Sequence, residues 1–344
     1  MAFPQPKPQA PQLPQHLLRT IDCQQGAVRA VRFNADGNYV LSCGSDKSLK
    51  LWSVSQGTFL KTYSGHGYEV LDADGSYDNS QICSCSSDKS VILWDVATGQ
   101  VTRKLRGHAG KVNCVQFNEE ATVILSGSID GTVRCWDTRS RRFEPIQVLD
   151  EARDSISSLK VAQHELLTGS VDGRVRRYDL RMGQLHVDFV NSPITCVCFS
   201  QDGQCTLSSS LDSTVRLLDK STGEMLGEFT GHKMKGYKLD CCLSSKDTHV
   251  LSCSEDGFVY CWDLVEVCSP LCFKVLNTRL INTFVMVSSR NECLVSHTLG
   301  GRKPRCFRIR KFKSAGGESS FRRQVLESYF LIFGHLASDW ITTT

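Results

Sequence analysis

Short apolar runs separated by Gly and Asp turns recur along the chain, most legibly between residues 112 and 149. Val112 to Phe117 is one run rich in β-branched and aromatic residues, and Val123 to Ser126 is a second. Asp130-Gly131 marks a turn, Thr132 to Trp136 forms a third run, and Pro145 to Leu149 a fourth. Such residues suit a pleated, half-buried surface, while Gly and Asp supply turn conformations. No segment sustains an apolar period of 3.6 residues over the length of a helix, so the pattern predicts an all-β body made of four-strand units.

The unit repeats. Asp46, Asp88, Asp130, Asp172, Asp212 and Asp256 follow one another at intervals of 42, 42, 42, 40 and 44 residues. Six residues after each stands a bulky apolar or aromatic side chain: Trp52, Trp94, Trp136, Tyr178, Leu218 and Trp262. Four residues before each stands a hydroxyl: Ser42, Ser84, Ser126, Thr168, Ser208 and Ser252. Gly-His pairs precede three of the repeats, at Gly65-His66, Gly107-His108 and Gly231-His232.

A period near 40 residues ending in Trp-Asp, as at 94–95, 136–137 and 262–263, resembles the WD-repeat family. That resemblance implies a seven-bladed WD40 β-propeller, in which four-stranded blades arranged radially protect their own edges. Leu17 to Ile21 is similar to Phe59 to Tyr63, the fourth strand of a blade, yet no first three strands precede it. It is therefore expected to complete the last blade and close the ring, since an open blade exposes an unpaired edge. The seventh repeat is degenerate: Leu294 to Gly301 with Arg305 to Phe307 imitates Leu125 to Trp136, but Gly300 stands where the aspartate belongs. A six-bladed ring is the alternative. The expected boundaries are an extended Pro-rich arm over 1–15, a propeller over 16–310 and a basic tail over 311–344. The blades are placed near 27–64, 69–106, 111–149, 155–190, 193–230, 237–275 and 280–310, the last joined by 17–22.

Composition sharpens this picture in three places. The net charge of +4 conceals a split, because residues 264–344 carry 12 Lys and Arg against 5 Asp and Glu. A basic tail can touch RNA or an acidic protein, but the preferred reading is a solvated strand and tail without direct nucleic-acid binding. Five of the nine prolines fall within the first fourteen residues, which favours an extended arm. The 17 cysteines lie mostly within the expected strands, where free Cys packs as a small apolar residue of an intracellular protein. Pairs such as Cys83 and Cys85 have one residue between them, a poor zinc-site spacing. No apolar window reaches transmembrane length, and no signal peptide is visible. No metal and no cofactor are expected.

His66, Ser84 and Asp88 invite a hydrolase reading, as do His108, Ser126 and Asp130, and His232, Ser252 and Asp256. A catalytic triad occurs once, with a reachable nucleophile; here the set recurs at constant offsets. The family resemblance implies instead structural tetrads of His66, Ser84, Asp88 and Trp94, of His108, Ser126, Asp130 and Trp136, and of His232, Ser252, Asp256 and Trp262. The chain is thus expected not to be an enzyme and to carry no catalytic residue. Repeats four and five lack the Gly-His, so Asp172 and Asp212 must find other donors. Asp72 to Asp78 is similar to a calcium loop but lacks its closing Glu, and is expected to be a turn.

Arginines cluster in repeats three and four, at Arg139, Arg141, Arg142, Arg174, Arg176, Arg177 and Arg181. Arg binds carboxylate and phosphate in bidentate fashion, so these residues form a candidate partner-docking patch. Residues 65–72, 115–130, 170–185 and 237–242 resemble the mitogen-activated-protein-kinase-organizer branch of the WD-repeat family. That likeness implies a scaffold for components of the extracellular signal-regulated kinase cascade and their adaptor. It also implies association with spliceosomal proteins in pre-mRNA splicing and a cytoplasmic and nuclear location. A monomeric ring is expected. Trp136-Asp137-Thr138-Arg139 and Tyr178-Asp179-Leu180-Arg181 also resemble propellers that present substrates to cullin-type ubiquitin ligases, which supplies an alternative reading. A divergent paralogue with partly lost function is another.

Overall fold

Alternating apolar and polar residues bounded by turns build 28 strands and no helix among the described residues of the computed structural model. Those residues are 16–140, 142–234, 236, 238–264, 271–274, 280–287, 292–298 and 307–313. The strands form seven antiparallel sheets of four. Blade 1 comprises Val28–Phe33, Tyr39–Gly44, Ser48–Ser53 and Phe59–Ser64. Blade 2 comprises Val70–Gly75, Gln81–Ser86, Ser90–Asp95 and Val101–Arg106. Blade 3 comprises Val112–Phe117, Val123–Ser128, Val133–Asp137 and the short Gln147–Leu149. Blade 4 is built from Ile156–Ala162, Glu165–Ser170, Arg174–Asp179 and Gln184–Phe189. Blade 5 is built from Ile194–Phe199, Cys205–Ser210, Thr214–Asp219 and Met225–Phe229. Blade 6 has Cys241–Leu243, His249–Cys253, Phe258–Asp263 and Leu271–Lys274.

Blade 7 takes Leu280–Val287, Glu292–Thr298 and Phe307–Lys313 from the end of the chain and His16–Asp22 from its beginning. The closing strand pairs antiparallel with the last one, from His16 opposite Lys313 to Asp22 opposite Arg308. The ring therefore has seven blades, not six, and the expected closure by the first strand is present. The last strand runs to Lys313, past the expected boundary at 310, because its partner begins at His16. The Pro-rich arm over 1–15 and most of the tail over 311–344 lie outside the described residues.

The first strand of every blade contacts the first strand of the next, and that of blade 7 contacts that of blade 1, so the seven innermost strands form a closed cycle. Five of them carry the same register break after their first residue, for example between Val112 and Cys114 and between Ile194 and Cys196, and that of blade 7 breaks one residue later, between Ile281 and Thr283. Such bulges bend a strand and sharpen its twist. The hydrophobic core lies between blades. Cys43, Leu49 and Tyr63 of blade 1 pack with Val70, Ile82 and Trp94 of blade 2, and the Tyr63 ring meets the Trp94 indole edge-on at 5.8 Å.

Polar links also cross the blade boundaries. Arg32 of blade 1 bridges Asp72 of blade 2 at 2.9 Å and Asp240, beside blade 6, at 3.2 Å. This corrects the expectation of a turn at Asp72–Asp78. Asp72 and Asp74 lie within the innermost strand of blade 2, where Asp74 accepts from the Phe117 amide at 3.0 Å, and the turn begins only at Ser76.

Candidate functional site

The tetrads are assembled from a loop and three strand positions. His66 follows the outer strand of blade 1 and reaches into blade 2; His108 does the same from blade 2 to blade 3. Glycine precedes each because a Cβ at Gly65 or Gly107 would stand 3.0 or 3.2 Å from the Trp94 or Trp136 indole. The His66 ring lies 2.8 Å from Ser84 Oγ through Nε2 and 3.3 Å from Asp88 Oδ2 through Nδ1, and the Trp94 indole N–H donates to Ser84 Oγ at 2.8 Å. In blade 3 the corresponding distances are 2.8, 3.0 and 2.9 Å. One set of roles satisfies every group. The indole N–H donates to the serine oxygen, the serine O–H donates to Nε2, and Nδ1–H donates to the carboxylate.

Burial pushes the Asp88 carboxyl up, but donors from His66, Ser90 and the Gly67 amide outweigh it and hold the carboxyl well below the usual range. At Asp130, donors from Thr132, His108 and the Ala109 amide likewise overcome burial. Burial pushes the His108 imidazole down, so it is neutral at pH 7. Ser84 and Ser126 are fully buried, at 0% exposure. A hydroxyl that no solvent reaches, donating to a histidine and capped by an indole, is a satisfied structural group rather than a nucleophile.

The other repeats solve the same problem differently. In blade 1 Gln25 stands in for the histidine: Ser42 Oγ donates to Gln25 Oε1, Trp52 donates to Ser42 Oγ at 2.9 Å, and Ser48 Oγ ties Asp46 at 2.8 Å. Sequence reasoning missed Gln25. It lies 17 residues before Ser42, as His66 lies 18 before Ser84, so spacing could have found it. In blade 4 the expected alternative donor to Asp172 is Arg176, at 2.6 Å with 1% side-chain exposure. In blade 5 Arg216 donates to Asp212 at 2.8 Å.

The third expected tetrad is not assembled, which corrects the reading of His232, Ser252, Asp256 and Trp262. Tyr260 donates its phenol to Asp256 at 2.8 Å, Trp262 donates to the Thr230 carbonyl at 3.2 Å, and Ser252 donates to the Cys253 carbonyl. With Asp256 engaged by tyrosine, both ring nitrogens of His232 are buried without a partner. Burial pushes this imidazole down to about 4, against the pull of Asp256 and Asp212. The fold therefore holds it neutral, while the unfolded chain takes up the proton near pH 6.5. Stability should fall as the pH drops from about 6.5 to 4 and then flatten for this group, a loss of up to about 3 kcal/mol. Urea unfolding of wild type and His232→Leu across that window checks it. The variant should show a shallower slope, and equal slopes would refute the assignment.

The docking arginines separate into two groups. Arg139, Arg142 and Arg181 are exposed at the rim of blades 3 and 4, Arg139 with 75% of its side chain free. Arg176 is buried on Asp172 and belongs to the blade interior. Arg177 pairs with Glu165 at 3.5 Å and donates to the Lys220 carbonyl at 2.8 Å, joining blade 4 to blade 5. Arg174 stands over the Phe189 ring at 5.7 Å. Arg141 lies outside the described residues. Large apolar side chains share the rim: Phe143, Ile146 and Val148 on blade 3, and Met182, Leu185, Val187 and Phe189 on blade 4 are all exposed. Sequence reasoning missed them because their alternation looked like that of any half-buried strand.

Among the described residues no helix is long and apolar enough to cross a membrane, and no cluster of three or more His, Cys, Asp or Glu is placed to hold a metal ion. A family model described as the IFT122 first beta-propeller matches residues 15–263. The chain is 88% identical over 266 residues to WD repeat domain-containing protein 83 of Danio rerio, covering 77% of this chain and 84% of that one. It is 77% identical over 266 residues to the protein of that name in Homo sapiens, with the same coverage. An uncharacterized WD repeat-containing protein of Schizosaccharomyces pombe is 46% identical over 273 residues, 79% of this chain and 92% of that one. With its seven four-stranded blades and these relatives, the chain belongs to the WD-repeat β-propeller family.

Proposed function

We propose that the chain is a non-catalytic scaffold that holds components of the extracellular signal-regulated kinase cascade with their adaptor and associates with the spliceosome, in cytoplasm and nucleus. The observation that carries the scaffold reading is the contrast between interior and rim. The triad-like groups are sealed inside blades 2 and 3, whereas Arg139, Arg142 and Arg181 and, on the same two blades 3 and 4, Phe143, Ile146, Met182 and Phe189 are exposed. Aromatic and Arg side chains exposed together are the composition of an interface core, suited to acidic or phosphorylated segments that also carry apolar anchors. The kinase and splicing partners rest on the resemblance of residues 65–72, 115–130, 170–185 and 237–242 to the kinase-organizer branch. A rigid ring that binds several partners raises their effective concentration without new chemistry.

Proximity labelling with the full chain, beside a variant carrying Arg139→Glu, Arg142→Glu and Arg181→Glu, tests this. Kinases of the cascade or splicing factors should be recovered with wild type and fall at least tenfold with the folded variant. Recovery of neither by folded wild type would overturn the proposal.

A second reading has its own observation. Arg139 and Arg181 occupy the same site in adjacent blades, each with its amide donating to the aspartate two residues before it, at 2.9 and 2.8 Å. That repetition fits a substrate receptor of a cullin-type ubiquitin ligase. A ligase-adaptor pull-down lost on charge reversal at both supports it, and an unchanged pull-down removes it.

A further inference from the structure

The outer strand of a blade is a sheet edge, and proteins blunt such edges with charge, proline, bulges or short length. Among the described residues, six of the seven outer strands carry one of these devices. Those of blades 1, 2, 5 and 7 slip register against their neighbour, and the first two also carry Lys61, Arg103 and Lys104. Those of blades 3 and 6 are only three and four residues long. Gln184–Phe189 of blade 4 carries none. It pairs with the third strand from Asp179 opposite Gln184 to Arg174 opposite Phe189 without a slip, and it contains no Lys, Arg, Pro or Gly. Among the described residues no further strand pairs with it.

The hydrogen-bond pattern shows which groups this edge leaves open. The Val190 amide donates to the Gly173 carbonyl at 2.9 Å, one step beyond the Phe189–Arg174 pair. Hydrogen-bonded and non-hydrogen-bonded pairs alternate in an antiparallel ladder, so Gln184, His186 and Asp188 bond inward. The N–H and C=O groups of Leu185, Val187 and Phe189 therefore point out of the sheet. These three residues are 40, 43 and 64% exposed. They lie opposite Tyr178, Arg176 and Arg174, hence on the face of blade 4 whose Tyr178 packs with Val133, Cys135 and Leu149 of blade 3. Arg174 holds its guanidinium over the Phe189 ring at 5.7 Å, and Arg181 stands exposed just before the strand. Neither guanidinium forms an ion pair among the described residues, so unpaired positive charge flanks the apolar edge at both ends.

We propose that the outer edge of blade 4 takes up an extended acidic segment of a partner protein as a fifth, antiparallel strand. The segment's main chain pairs with the outward groups of Leu185, Val187 and Phe189, which supplies affinity, and its alternate side chains supply specificity. A residue directly opposite one of these three exchanges both hydrogen bonds with it and projects from the same face. Apolar residues at alternate positions of the segment therefore cover Leu185, Val187 and Phe189, and an acidic residue towards each end meets Arg174 or Arg181. The proposal rests on the reading of the rim of blades 3 and 4 as the docking surface, and adds how the partner is held and what its sequence carries.

The test uses the full-length chain and a fluorescent peptide of sequence Asp-Val-Thr-Val-Thr-Val-Glu, read by anisotropy and by hydrogen exchange. The peptide should bind and slow exchange at Leu185, Val187 and Phe189 by about tenfold or more, since those amides face solvent in the free protein. N-methylation of its valine amides should abolish binding, whereas N-methylation of its threonine amides should leave binding intact; this contrast needs no protein variant. Val187→Pro removes only an outward N–H, which an edge strand tolerates, and should abolish binding with an unchanged thermal midpoint. Arg181→Glu should weaken the acidic peptide and spare one with Asn and Gln at its ends. No binding to the folded protein, equal binding by both methylated peptides, or protection confined to another blade would overturn the proposal. So would a wild-type dimer that Val187→Pro makes monomeric, because the edge then belongs to a second copy. None of these results touches the recovery of cellular partners, which tests the rim reading by itself.

Discussion

Arg176→Met is expected to lower the unfolding free energy by about 3–5 kcal/mol, a fall in Tm of roughly 10 °C. The guanidinium is 1% exposed and Asp172 9% exposed, and the two oxygen contacts are 2.6 and 3.3 Å. Removing the cation leaves a carboxylate shielded from water with only the backbone amides of Arg153 and Arg174 to satisfy it. A surface ion pair would contribute little, whereas this one replaces the histidine of blades 2 and 3.

The pH dependence separates charge from lost packing. Burial pushes Asp172 up, and Arg176 with the Arg153 amide outweighs it and holds the carboxyl below its ordinary value. Stability from this group is therefore present above the unfolded carboxylate range near pH 4 and is lost as the pH falls through the lower folded value. In the methionine variant nothing offsets burial, so the carboxyl takes its proton at higher pH. The gap between wild type and variant should narrow as the pH falls from about 7 towards 4, where the variant's carboxyl takes its proton, and further below 4, where wild type loses its own contribution. Urea unfolding at pH 7 and pH 4 measures both values; an equal gap at both would assign the loss to packing alone.

Much of the ring was legible in the sequence because its determinants are local and periodic. The Asp-to-Trp offset is one hairpin of a blade, so six hairpins announced themselves. The residue after each of those aspartates has positive φ, as glycine at 131, 173 and 257 but as Lys47, Lys89 and Ser213 elsewhere. The turn thus survives changes of residue that a glycine search would miss. Gln25 escaped notice because an amide can imitate the imidazole, accepting from Ser42 while donating to the Ser48 carbonyl.

The reading of His232 failed for a competitive reason. Tyr260 occupies the position held by Ile92 in blade 2, and a phenol there reaches the aspartate before the histidine can. The reading of Arg176 as a docking residue failed for a geometric one. Period-two alternation separates Arg176 from Arg177, but it does not tell which face of the strand looks into a neighbouring blade. The Cys196 thiol and the Cys241 carbonyl to which it donates lie 45 residues apart and meet only because the ring places successive first strands side by side.

Ring closure is the claim on which the scaffold reading stands, and truncation tests it most directly. The strand His16–Asp22 is the outermost of blade 7, and Ile21 packs with Val28, Val40 and Trp52 of blade 1. A protein lacking residues 1–22 should lose its cooperative thermal transition or melt more than about 10 °C lower, because the Phe307–Lys313 edge becomes unpaired. A protein lacking residues 1–15 keeps that strand and should melt with the full-length chain. Equal midpoints for all three proteins would contradict a ring closed by its first strand.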